Sequence, residues 1–198
     1  METECTQYVA AIHGVLRFER DRVYKSCQYS LLHKIIQDAT YSSTNGWRYR
    51  HPNFFWSTGA IDDLAQLSGV EVGDTDLERY EFALPDPVEA RGLLHQEHVV
   101  PTGVAIRRLL DLEAPVDEQV ASILEVARTV CIVTRDENRR LHKTKMPPQQ
   151  PDFMCDKWAR YRYPREGLPI KISPYACEWQ GTTIIFTRRP PNELEDAP

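Results

Sequence analysis

The sequence predicts an α+β fold: a helical N-terminal half, then a small strand-and-helix unit closed by a C-terminal hairpin. Three observations lead there. Apolar residues recur at helical spacing over Tyr8–Phe18 (Val9, Ile12, Leu16) and Val23–Ala39 (Leu31, Leu32, Ile35, Ile36). The run Thr129–Val133 is short, β-branched and apolar, the pattern of a buried strand. Two further strand-like runs, Ile170–Cys177 and Thr182–Thr187, flank Gln180-Gly181 as a hairpin would.

The two N-terminal helices read as an α-hairpin, or as one helix broken near Asp21, and the turn-rich cluster Thr40–Gly46 ends them. Trp47–Trp56 comes next, dense in aromatics with Arg48 and Arg50 between them. Such a stretch suits core packing or a protein contact, and can also stack bases. A short helix starts at Ser57 or Thr58 and runs through Ile61, Leu64 and Leu67 to Gly69. The acidic stretch after it contains Pro85 and Pro87 and reads as an irregular connector. The expected organisation is therefore a helical region over 1–70, an acidic connector over 71–90, an α+β region over 91–189 and a disordered tail over 190–198.

Within the third region, Val104–Leu112 is amphipathic, and Pro115 is placed to open a second helix through Val120, Ile123, Leu124 and Val126. Thr134 and Glu137 have the spacing of a capping box, which starts a helix directly after the strand. Met146–Pro151 is a loop, and Asp152 or Asp156 is a candidate cap for a short helix through Trp158 and Tyr161.

Composition narrows the setting. The five cysteines are scattered and odd in number, with no C-x-x-C pair, so a disulfide framework or zinc knuckle is not indicated and a reducing cytoplasm is the simpler location. No 18-residue apolar run exists, and the acidic N-terminus does not have the form of a secretory signal. The net charge of −5 argues against a protein that coats nucleic acid indiscriminately. The charge is unevenly spread, however. Ile61–Glu97 carries ten acids against two bases, whereas Arg135–Lys171 carries ten Lys and Arg against five acids. A local positive region of that kind can bind phosphate inside an acidic chain, although it can equally be a solvated face.

Candidate chemistry centres on Glu97-His98-Val99-Val100-Pro101 and on the segment from Cys131 to His142. Hydrolysis of a phosphodiester needs a base near neutral pKa and a cation on the developing charge. His98 at a strand end can be the base. Asn138 and His142 are four residues apart, so they share one helical face and can be ligands of a single Mg²⁺ or Mn²⁺, with Glu97 as an additional ligand or a turn cap. His95 and His98 form an H-x-x-H pair with no obvious third ligand. Arg135, Arg139, Arg140, Lys143 and Lys145, together with Arg160 and Arg162 in the aromatic–arginine run Trp158–Tyr163, are candidate phosphate contacts.

This layout resembles the HNH, or ββα-metal, nucleases. Glu97-His98-Val99-Val100-Pro101 is similar to their acid–His–apolar–Pro first strand, and Val130–Asn138 is similar to the closing strand and helix of phage-type members. The resemblance implies His98 as general base, Asn138 or His142 as metal ligand, and Arg139 or Arg140 on phosphate. His98 and Asn138 are 40 residues apart, longer than the family's compact unit, and no Asn lies between Thr102 and Thr129 to orient the base. On this reading the protein is a metal-dependent DNA endonuclease of a mobile element or defence system. Two other readings stand beside it. One is a non-catalytic phage or defence-system subunit that meets a protein partner through Trp47–Trp56 or the acidic segment. The other is a DNA-binding regulator using the helices between Thr102 and Ala127.

Overall fold

The computed structural model describes residues 2–17, 22–41, 54–70, 78–190, 194 and 197–198. It is an α+β structure, with one helical core and two small sheets. Helices α1 (Glu2–Leu16) and α2 (Arg22–Tyr41) pack on each other and on α5 (Thr102–Leu110) and α6 (Asp117–Ala127). The buried positions keep helical spacing: Val9, Ile12 and Val15; Leu32 and Ile36; Ala105, Ile106 and Leu109; Val120, Ile123, Leu124 and Ala127. Pro115 lies one residue before the Val116 cap of α6, so it sets the approach to the helix and not its first turn; Asp117 and Glu118 then face the positive end of the helix dipole.

The first sheet has the order β1–β4–β3, built from β1 (Phe55–Trp56), β4 (Val130–Thr134) and β3 (Leu94–His98). Central β4 is buried along its whole length, which is why it reads as an unbroken apolar run. It is parallel to β1 and antiparallel to β3, with Leu94 opposite Thr134 at one end of the ladder and His98 opposite Val130 at the other. Alternation along the strands divides the sheet. Phe54, Trp56, Leu94, Val130 and Ile132 enter one core, while Phe55, Val99, Cys131 and Val133 enter another, with Leu141, Trp158 and Tyr161.

The second sheet, of order β2–β6–β5, is antiparallel throughout and is formed by β2 (Arg79–Ala83), β6 (Thr183–Arg188) and β5 (Tyr175–Gln180). Its inner face presents Phe82, Tyr175, Cys177, Trp179, Ile184 and Phe186 to the first of those cores. The β5–β6 hairpin turns at Gly181, whose φ of 61° favours glycine. Helix α3 (Thr58–Leu67) closes the same core with Ile61 and Leu64, and is started by Ser57, whose Oγ accepts the Ala60 N–H at 3.1 Å.

Several expectations are corrected. The acidic connector 71–90 is not irregular along its described residues. Residues 71–77 lie outside the described residues, but the rest supplies β2 and most of α4 (Pro87–Leu93), and Phe82, Leu84 and Ala90 join a core shared with residues 54–65 and 130–186. Residues 54–65 thus share one core with C-terminal elements. The expected strand over Ile170–Cys177 begins at Tyr175, with Ile172 making only an isolated bridge to Ser57. The tail 190–198 is not free along its described residues. Leu194 and Ala197 pack on the core around Trp158, and the Ile172 N–H donates to the Pro198 carbonyl at 2.8 Å. Of Trp47–Trp56, only residues 54–56 are described, and all three are buried in the two cores rather than offered to a partner.

The position of β4 gives a stability prediction. Ile132 is fully buried between β1 and β3. Ile132→Ala is expected to lower unfolding free energy by about 2–5 kcal/mol in urea titrations. Leu168→Ala, at a side chain 80% exposed, is expected to stay within about 0.5 kcal/mol of wild type.

Candidate functional site

The alternation of β3 decides what its polar side chains can do. Leu94 faces the core between the two sheets, so His98 faces the same side; Glu97 faces the opposite side with Val99. Glu97 accepts a hydrogen bond from Arg160 Nη2 at 2.7 Å, and Arg160 Nη1 donates to the His98 carbonyl at 2.8 Å. Arg160 belongs to α8 (Ala159–Arg162), and its side chain is fully buried. His95 Nε2 is 3.5 Å from the other oxygen of Glu97.

His98 is held as a structural base. Its Nδ1 lies 2.9 Å from the Ala127 carbonyl, so the ring donates there and satisfies one of the carbonyls left over at the end of α6. Nε2 is then free to accept the Tyr41 hydroxyl at 3.3 Å, and the two rings meet edge-on with centroids 5.9 Å apart. Burial pushes the imidazole below its usual pKa of 6.5; the bond to Ala127 and the nearby Glu97 oppose the shift, while His33 and Arg160 reinforce it.

Helix α7 (Arg135–Arg140) leaves β4 at Thr134, at the end of the ladder opposite to His98 and about 13 Å along it. Its start is the capping box read from the sequence. Thr134 Oγ1 accepts the Glu137 N–H at 3.1 Å and Glu137 returns the bond to the Thr134 N–H at 2.9 Å. Glu137 also accepts the Ser57 hydroxyl at 2.5 Å. After α7, Leu141 enters the core on the Glu97 side of the sheet. His98 and Lys143 line one cleft, and Lys143 Nζ donates to Asn138 Oδ1, while the hydrogen bonds of the His98 ring go to Ala127 and Tyr41.

Other protein groups engage Glu97, His98 and Asn138. Glu97 is engaged by Arg160, His98 by Ala127 and Tyr41, and Asn138 Oδ1 accepts Lys143 Nζ, which also reaches the Asn138 carbonyl. His142 is pushed below its usual pKa by burial and then by Lys145, Arg160 and Arg165, an environment that also repels a cation. No group of three His, Cys, Asp or Glu side chains suited to a metal occurs among the described residues.

The candidate phosphate contacts divide into structural and available cations. Arg160 is corrected to a buried clamp, since no phosphate can reach it. Arg140 donates to the carbonyls of Glu166 and Leu168 and so ties down the loop after α8. Arg162 lies 3.7 Å from Asp156, and Arg139 pairs with Asp136 at 2.6 Å on the surface. Arg135 and Lys145 are exposed.

Lys143 opens onto a cleft of about 340 Å³ that the sequence did not reveal. Its walls are β3 (Gln96, Glu97, His98), the first turn of α5 (Thr102, Gly103) with Arg107, Thr144 beside Lys143, and Tyr29 of α2. Arg107 Nη2 donates to the Thr144 carbonyl at 3.1 Å. Both cleft cations are thus held by neutral oxygens, and neither has a carboxylate at ion-pair distance among the described residues. Burial lowers the Lys143 pKa; Glu97 opposes that shift, and Arg160 and Arg165 add to it. Gly103 is the one available sequence signal. A Cβ there would stand 2.6 Å from the Tyr29 hydroxyl, so a larger residue would have to displace the far end of that side chain.

No family model matches the chain, and no curated protein or solved structure matches it. No helix among the described residues is long and apolar enough to cross a membrane.

Two predictions test the β3 end. Because folding lowers the His98 pKa below 6.5, the unfolded chain binds the proton more tightly, and stability contributed by the neutral ring is lost as pH falls through 6.5 towards the folded value. Thermal melts from pH 8 to pH 5 are expected to show a smaller acid-induced drop in Tm for His98→Gln than for wild type. Removing one partner of the buried pair leaves the other uncompensated, so Glu97→Leu is expected to cost about 3–5 kcal/mol in urea unfolding. Replacing both, as Glu97→Leu with Arg160→Met, is expected to recover part of that loss.

Proposed function

We propose that the protein binds nucleic acid through the Arg107–Lys143 cleft, without hydrolysis at His98. One observation carries the reading: cations from two separate segments meet in a cleft, where neutral protein oxygens hold them and the lining acid Glu97 is paired with Arg160. Phosphate is the ligand that such an arrangement suits, because it brings charge and several acceptors together. Lys145 and Arg165 add to the field around Lys143 and His142, and exposed Arg135 and Arg139 continue the positive segment along α7. The net charge of −5 leaves this region as a local exception, which favours a confined contact over general coating.

The nuclease reading implied by the HNH resemblance finds less support. It needs His98 and a donor of the α7 segment on one cation, whereas His98 bonds Ala127 and Tyr41 and Asn138 bonds Lys143. The interaction-subunit reading keeps no exposed aromatic stretch among residues 54–56.

Binding of fluorescent DNA across a salt series tests the proposal. Wild-type affinity is expected to fall linearly on a log–log plot against salt. Arg107→Gln with Lys143→Gln is expected to weaken binding and reduce the slope by about 0.7–0.9 for each phosphate contact removed. An unchanged slope, or no binding at low salt, rules out this cleft. The same DNA incubated with Mg²⁺ or Mn²⁺ is expected to remain intact with wild type and with His98→Ala alike. Cleavage lost in a folded His98→Ala protein would restore the hydrolytic reading.

A further inference from the structure

We infer that the cleft takes one nucleotide unit of a single strand, with its base on the Tyr29 ring and its phosphate between Arg107 and Lys143. This rests on the nucleic-acid reading and specifies the form of the ligand.

Tyr29 is the residue that chooses. It lines the same cleft as the two cations, is 38% exposed, and makes no ring contact with another aromatic among the described residues. An aromatic left partly in water beside two cations without an ion pair among the described residues offers a base the apolar face it lacks in solution. The Tyr29 hydroxyl lies beside Gly103 in the first turn of α5, where an added Cβ would stand 2.6 Å from it, so the ring stands at the α5 wall of the cleft.

Size and topology point the same way. A volume of about 340 Å³ is at the lower end of small-ligand sites, suitable for one nucleotide but not for a paired step. In a duplex the base faces are already stacked on their neighbours, so a tyrosine at a cleft wall gains nothing from them unless a base is extruded. In a single strand each base presents a free face, and alternating contacts to base and phosphate match an aromatic wall next to two cations. The recognition uses groups common to DNA and RNA, since none of the cleft contacts described requires a particular sugar.

The test compares binding of a labelled single strand, as DNA and as RNA, with the duplex of the same sequence. Wild type, Tyr29→Phe and Tyr29→Ala are used, with folding checked by thermal melts. The expected result is tighter binding of the single strand, a loss of roughly 5- to 100-fold for Tyr29→Ala with the single strand only, and near wild-type binding for Tyr29→Phe. Either sugar type showing this pattern supports the inference. Equal affinity for strand and duplex, with Tyr29→Ala unaffected, overturns it while leaving cleft binding of nucleic acid intact. Absence of all nucleic-acid binding overturns both.

Discussion

The buried guanidinium of Arg160 organises the molecule around the end of β3. A fully desolvated cation is tolerated only with close compensation, and here a carboxylate and the His98 carbonyl supply it, with the Val99 carbonyl further off at 3.4 Å. The contacts join α8 to the point where β3 ends and the chain turns into α5. Cleft geometry depends on that joint, because Glu97 and His98 form one wall and the first turn of α5 forms the next. The clamp has an electrostatic result as well. Glu97 lines the cleft, and its ion pair is made with Arg160 rather than with Arg107 or Lys143.

His98 belongs to the same joint but acts on the other side of the sheet. A strand-end histidine beside an acid looks like a catalytic base when only the sequence is read. In the fold it ends α6 by donating to Ala127, and it is packed edge-on against Tyr41. A neutral imidazole suits this place because it is both donor and acceptor, and burial disfavours the protonated form. One ring thus links α2, α6 and β3. Its neighbour Glu97 turns the opposite way to link α8, so the Glu-His dipeptide joins elements on both faces of the sheet.

Much of the architecture is legible in the sequence because it is set by local pattern. The helical spacing around Ile12, Ile36, Ile106 and Ile123, the apolar run of β4 and the Thr134–Glu137 cap each need only neighbouring residues to be read. Strand β2 is hidden by its composition. Tyr80 and Phe82 alternate as a strand should, but acids and two later prolines dominate the segment, and its pairing with β6 comes from about 100 residues away. The described tail residues are hidden for a similar reason, since Leu194 and Ala197 become apolar contacts only once the Trp158 core exists. At the site, Lys143 and Lys145 can be read as positive charge. Arg107 and Tyr29 cannot, because their meeting depends on α2, α5 and the Thr144 loop packing together. Period-two alternation does separate Glu97 from His98, yet it cannot say which face Leu141 draws α7 onto.

The cleft illustrates how an acidic chain can hold a selective anion site. Long-range charge of −5 weakens indiscriminate attraction to a polyanion, and screening confines the field of each cation to about 8–10 Å at ordinary salt. A ligand therefore has to enter the cleft before Arg107 and Lys143 attract it strongly. Shape then filters what charge alone would accept: a narrow volume, one exposed ring and two cations tethered to carbonyl oxygens favour a ligand with an accessible flat face next to a phosphate. Selectivity arises from placing the favourable charge where only a suitably shaped anion can use it.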